Sequence, residues 1–210
     1  MNLFLRSSLF NTLLSVVGII VFAPIMLITA VHIKLVSPEG PLLADMKDRV
    51  GKAGKLFRMF KFRSMIPNAQ KWLESQPELY KKYQENGYKL DNDPRWLKGA
   101  NFMRATSIDE LPQFFNILLG DMSLVGPRAY FAFELEERIR EHPDAKALID
   151  QALEVKPGLT GVWQTSGRSN ISFPARVQLD ADYAKKRSLL YDLIIILKTP
   201  YVVLTRKGAF

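Results

Sequence analysis

Residues Leu13 to Ile33 read LLSVVGIIVFAPIMLITAVHI, 21 positions without one charged side chain. At about 1.5 Å per residue, a helix of that length matches a hydrocarbon core of roughly 30 Å. The stretch therefore reads as a membrane-inserted helix, with a buried core helix as the soluble alternative. A cleaved leader fits poorly: Arg6 is the sole basic residue ahead of the run, the run is too long, and no small-x-small site follows it. Pro24 sits near the middle, where it removes a backbone hydrogen bond and predicts a kink. Arg6 precedes the run and Lys34 follows it, so the positive-inside bias does not choose a direction. A helix that breaks at Pro24 and leaves by the face it entered satisfies both ends; an ordinary kinked span is its equal on hydropathy.

Working outward, the charge follows the apolar segments. Residues 34–63 carry eight basic against three acidic side chains, and residues 185–210 carry six against one. Residues 64–184 are net acidic by three, although the chain as a whole is at +8. That layout suits an anionic leaflet better than a nucleic acid, which would draw the basic excess onto the polar body. Near the C-terminus, Leu189–Leu197 and Tyr201–Leu204 are apolar pieces divided by Lys198, Thr199 and Pro200, each too short to span. They read as segments lying in the headgroup layer or packing on the body.

The chain has no cysteine and two histidines, His32 and His142. Disulfides, thiolate zinc sites and cysteine nucleophiles are excluded, and histidine relays have almost nothing to be built from. Catalysis must rest on carboxylates, Lys, Arg or an oxygen-bound metal.

Between the ends the pattern mixes strand and helix. Phe57–Met65 alternates around Phe60 and Phe62, predicting a strand with Lys61 and Arg63 on its other face. Asn68–Gln84 has helical spacing with an interruption near Pro77. Leu111–Leu119 and Phe131–Arg140 read as helices, Lys156–Asn170 as a Gly-rich loop or short strand, and Asp91-Asn92-Asp93-Pro94 as a turn. The fold class expected is α/β or α+β. A compact domain over residues 37–210, with a short sheet and several helices, follows a membrane helix over residues 1–36.

The chemistry concentrates in Arg104-Ala-Thr-Ser-Ile-Asp109-Glu110-Leu-Pro112-Gln113. A capping box from Ser107 to Glu110 is one reading, but Pro112 would then leave a carbonyl without its donor. Starting the helix at Asp109 puts Pro112 in the first turn and makes Asp109 the cap. Both registers place two adjacent carboxylates at a helix N-terminus, where the dipole favours ionisation. An ionised aspartate attacks phosphorus only if a divalent cation and arginines offset the repulsion between anions. Arg104 and Arg128, the latter aimed by Gly126-Pro127, stand on either side of the pair.

These strings resemble the bacterial sugar transferases, the monotopic polyprenyl-phosphate phosphoglycosyl transferases. The likeness is carried by Lys61-Phe-Arg-Ser-Met65, Ser107-Ile-Asp-Glu-Leu-Pro-Gln113, Gly120-Asp-Met-Ser-Leu-Val-Gly-Pro-Arg128 and Lys156-Pro-Gly-Leu-Thr-Gly161. Ser37-Pro-Glu-Gly-Pro41 and Arg49-Val-Gly51 extend it over nearly the whole chain. The resemblance implies transfer of a sugar 1-phosphate from a UDP-sugar to undecaprenyl phosphate at the cytoplasmic face of the bacterial inner membrane, with release of UMP. It implies that Asp109 is the nucleophile, that Glu110 and Asp109 hold Mg²⁺, and that Arg104, Arg128, Lys61, Arg63, Gln164 and Arg168 bind substrate. It also implies a re-entrant helix broken at Pro24, against membrane lipids. Trp163, next to Gln164, reads either as a contact to uracil or sugar or as a core residue. The rival reading is a non-catalytic basic module on the membrane surface, which predicts no donor turnover and lipid binding that weakens with salt.

Overall fold

A computed structural model describes residues 3–44, 48–85, 90, 92–167 and 171–205, with side chains from residue 8 onward. Asp91, Arg168, Arg206, Lys207 and the Arg6 side chain lie outside the described part.

The first element, α1 (Leu3–Val36), is a single helix of 34 residues that continues through Pro24. The interruption expected there is absent. The reason lies in packing on both sides of the proline: Phe22 stacks on Phe114 with ring centroids 6.0 Å apart, while Met26 and Ile33 enter a core with Phe62, Leu97 and Met103. One hydrogen bond forfeited at Pro24 does not undo contacts made before and after it. The buried stripe Ser15, Gly18, Met26, Thr29 and Ile33 faces the body, and the opposite side, including Val17, Ile20, Leu27, Ile28 and Leu35, is exposed.

Among the described residues four strands follow, in two separate ladders where one short sheet was expected. β1 (Asp48–Val50) and β2 (Leu56–Arg58) pair antiparallel with Arg49 opposite Phe57. β3 (Ser123–Val125) and β4 (Gly158–Thr160) pair parallel with Val125 opposite Thr160. The predicted strand from Phe57 to Met65 ends early. Past Arg58 the backbone turns to other partners, with Phe60 N–H donating to the Asn116 side chain at 2.8 Å and Phe62 bridging to Leu43.

The helices are α2 (Ala69–Glu74) and α3 (Pro77–Glu85), divided at Pro77 as the sequence predicts, then α4 (Ala100–Ala105) and α5 (Gln113–Leu119). α6 (Ala132–Glu141) and α7 (Lys146–Ala152) occupy the crossover from β3 to β4. Past β4 come α8 (Val162–Ser166), inside a stretch read as loop or strand, and α9 (Phe173–Lys186). α10 (Leu189–Thr205) joins the two C-terminal apolar pieces into one 17-residue helix through Pro200. Thr199 Oγ1 donates back to the Ile195 carbonyl at 2.8 Å and meets Thr160 Oγ1 at 2.8 Å, which keeps that turn helical on the body.

Three helices with exposed apolar side chains, α1, α5 and α10, all adjoin β3. β3 itself is covered by a core of Phe57, Phe114, Ile117, Met122 and Ile195. Its backbone runs so close to β4 that a Cβ at Gly126 would collide with the Lys156 carbonyl and one at Gly158 with the Gly126 amide. That contact fixes the start of the Gly126-Pro127-Arg128 turn.

Candidate active site

Asp109 lies in a 3-10 turn, Ile108–Glu110, between α4 and α5. Both capping registers are thereby set aside: Ser107 makes no side-chain cap, and Pro112 stands immediately before α5. The Ile108 carbonyl instead takes the Leu111 N–H at 3.2 Å, a 3-10 bond, and Pro112 caps α5. Ser107 enters the turn at φ 57, left-handed for a residue with a Cβ, at a cost of roughly 1 kcal/mol. The Asp109 side chain ends up 1% exposed.

A second segment is pinned alongside. Asn116 on α5 accepts from Phe60 N–H and donates to the Arg58 carbonyl, both at 2.8 Å. The Asp109 carbonyl takes the Phe62 N–H, also at 2.8 Å. Lys61 is caught between these ties, and its Nζ reaches Asp109 Oδ2 at 2.9 Å and Glu110 Oε1 at 3.2 Å. The first contact is an ion pair rather than an aligned hydrogen bond, and both Asp109 carboxylate oxygens are buried without a hydrogen-bond partner.

Burial pushes the Asp109 carboxyl above the ordinary range; Lys61 pulls the other way, Glu110 adds to the rise, and Arg104 opposes it. Burial also acts on Glu110, but there the Lys61 ammonium, then Arg128 and Arg49, prevail and hold it below its usual value. Burial would lower Lys61, yet Glu110 and Asp109 raise it. The two carboxylates thus diverge, the buried one upward and the half-buried one downward.

Cations ring the pair. Arg104, in the last turn of α4, has its guanidinium 5.4 Å from the Trp96 ring. Arg128 gives its backbone N–H to Asp180 at 3.2 Å, and its charge acts on Glu110. Arg49 belongs to the same set, though the sequence reading used it only for family likeness. Its guanidinium lies 3.3 Å over the Phe131 ring and donates to the Ala129 carbonyl at 2.8 Å. Burial first, and Arg128 second, bring its pKa down to about 10.

Arg63, expected beside Lys61 as a substrate ligand, is 4% exposed and turned to the end of α1. It donates to the Pro41 carbonyl at 2.6 Å, to Ser37 Oγ at 2.9 Å and to the Ser37 carbonyl at 2.8 Å. The alternation that would have placed it stops at Arg58, and Gly40 lies flush against its guanidinium. Gln164 and Trp163 sit on α8; the Gln164 Oε1 and the Trp163 Nε1 are buried without partners. Pro24 faces outward on α1, away from this cluster.

Among the described residues no group of three or more acidic or histidine side chains is placed to hold a metal. Asp109 and Glu110 supply two carboxylates, one with an unpartnered Oδ1. That set suits Mg²⁺, which keeps several waters and takes further oxygens from phosphate, better than a cation needing a full protein cage. Lys61 stands against both carboxylates and must shift for such an ion to enter.

The model of the family described as bacterial sugar transferase matches residues 2–206. The chain is 40% identical, over 96% of its length, to an undecaprenyl-phosphate galactose phosphotransferase of Salmonella typhimurium. It is 35% identical over 96% of its length to the exopolysaccharide production protein ExoY of Sinorhizobium fredii, of which it covers 86%. It is also 34% identical over 95% of its length to a UDP-glucose:undecaprenyl-phosphate glucose-1-phosphate transferase of Xanthomonas campestris. It spans 41% of the Salmonella protein and 39% of the Xanthomonas one.

Proposed function

The chain belongs to the bacterial sugar transferase family, and on that footing we propose that it transfers a sugar 1-phosphate from a UDP-sugar to undecaprenyl phosphate, releasing UMP and starting a surface glycan. The observation that carries this reading is the Asp109–Glu110 pair held by Lys61 and ringed by Arg49, Arg104 and Arg128. A surface-binding module needs no cations drawn inward around two carboxylates. A phosphoryl-transfer site does, because the donor brings two negative phosphates to a negative nucleophile.

The Asp109 carboxylate attacks the β-phosphorus, and the bond from that phosphorus to the bridging oxygen breaks, so UMP leaves with the electron pair. A phosphate oxygen of the lipid then attacks the same phosphorus, the aspartyl ester opens, and the sugar diphosphate lipid departs. Asp109 returns unchanged. Asp109 and Glu110 would hold Mg²⁺, which would supply charge neutralisation to the diphosphate. Arg128 clamps phosphate with its planar fork, while Arg104 and Arg49 keep the surroundings positive. Lys61 offsets part of the burial that works against the Asp109 charge. A covalent stop lets one site serve a soluble donor and a membrane-bound acceptor in turn.

The placement of α1 supports work at the bilayer surface. From Ser15 to Ile33 the helix is packed on the body along one side and bare and apolar along the other. Such a helix cannot cross the hydrocarbon without drawing the polar body in with it, which favours shallow insertion into one leaflet. Asp109→Asn is expected to abolish UMP release from a UDP-sugar in the presence of Mg²⁺ and undecaprenyl phosphate. Mass spectrometry of donor-treated wild type should show a sugar phosphate on Asp109. Near-normal release from the variant would remove Asp109 as nucleophile.

A further inference from the structure

Beside the carboxylate pair lies a second group of buried donors, of which the transfer steps above use only Arg128. The guanidinium carbons of Arg128 and Arg176 stand 5.1 and 4.8 Å from the Trp163 ring. They come from the turn after β3 and from α9, and α8 carries the indole that both approach. Both arginine Nε atoms and the indole Nε1 are buried, and among the described residues they have no hydrogen-bond partner. Arg176 spends one Nη2 on the Ile171 carbonyl at 3.3 Å.

A buried donor without an acceptor costs about 1–3 kcal/mol, so three in one place point to an acceptor brought from outside. The charge agrees. Asp180, 1% exposed, feels both arginines, yet it bonds only the Arg128 backbone N–H and pairs with neither guanidinium. Two cations therefore share one carboxylate, and Arg128 carries the surplus to Glu110. The acceptors Gln164 Oε1 and Asp180 Oδ1 are also buried without partners and do not meet these donors; two planar guanidinium forks suit an oxyanion.

We propose that Arg176 is a second phosphate-binding arginine of this active site, coupled to Arg128 through their shared contact with the Trp163 ring and receiving a phosphate oxyanion of one of the two substrates. The inference rests on the transfer reaction above and adds a residue to it. Trp163 aligns the two guanidiniums instead of stacking on uracil, since its ring is already taken up by them.

The test uses the full chain in detergent with Mg²⁺ and reads UDP binding by calorimetry, without turnover, beside the KM for undecaprenyl phosphate. Arg176→Ala should bind UDP about tenfold more weakly, if the donor's phosphate is the occupant, with part of the loss recovered in Arg176→Lys. Unchanged UDP affinity with a similar rise in the KM for undecaprenyl phosphate would assign the acceptor's phosphate instead and also supports the role. Wild-type values for both in Arg176→Ala overturn it while leaving the transfer reaction standing. Should Arg176→Ala not fold, Arg176→Gln replaces it, with wild-type values again overturning the proposal. A wild type that neither binds UDP nor releases UMP overturns both readings.

Discussion

At the scale of single residues, Asp180 is a carboxylate whose surroundings work against its charge. Burial raises its pKa to about 7, although the Arg128 N–H and the charges of Arg176 and Arg128 pull it down. The folded chain therefore holds a proton that the unfolded chain has released above the ordinary aspartate range. This group's contribution is complete below about pH 4 and disappears as the pH rises through about 7, a loss on the order of 4 kcal/mol. In Asp180→Asn, whose amide oxygen still accepts from Arg128, that decline should be absent. Thermal unfolding of the two proteins in detergent from pH 4 to 8 should show the variant overtaking the wild type toward the alkaline end; parallel curves would contradict the assignment. Asp109 and Glu110 were legible as a pair because adjacency is written in the sequence. The burial that separates their pKa values was not, because it comes from Lys61 and Phe62, nearly fifty positions earlier.

Among the elements, α5 does the positioning. Asn116 is fully buried and satisfies two backbone groups of the chain that carries Lys61. Asn116→Ala should destabilise by about 2–4 kcal/mol by orphaning both groups, and should slow adduct formation on Asp109 by releasing Lys61. Equal stability and rate would contradict this. On its other side α5 meets α1, where a Cβ at Gly18 would fall 2.6 Å from the Phe114 ring. Gly18→Ile is expected to cost about 1–3 kcal/mol in urea unfolding, whereas Val17→Ile on the exposed side should change little. Periodicity found α2, α3, α5 and α6 because each has its own apolar spacing or a proline boundary. It failed for the strand after Arg58, where Asn116 outbid the ladder, and for α10, where Thr199 bridges the Lys198-Thr199-Pro200 gap. Arg63 was misplaced for the same reason as the strand: alternation gives a side chain's direction only while the ladder lasts. Asn116 itself had a visible signal, an amide within the inward stripe of a predicted helix.

For the whole molecule, exposed apolar surface on α1, α5 and α10 around β3 asks for a lipid or detergent environment. Ile20 and Ile28 are 68% and 69% exposed and touch no core. Replacing both with Lys should move the protein from liposomes to the supernatant in flotation, since each charge costs about 3 kcal/mol at hydrocarbon depth. Retained flotation with normal folding would show that α1 does not enter the bilayer. The membrane character of the chain was plain from Leu13 to Ile33; that this stretch is also one wall of the core was not, because its partners are distant in sequence. Asn11 on α1 receives the Leu124 N–H at 2.7 Å across 113 positions. During synthesis at about 5–20 residues per second, that partner emerges on the order of ten seconds after Asn11. For that interval the nascent helix shows Asn11, Ser15 and Thr29 to whatever receives it at the ribosome exit, so its final packing is settled only when the rest of the polypeptide arrives to close over them.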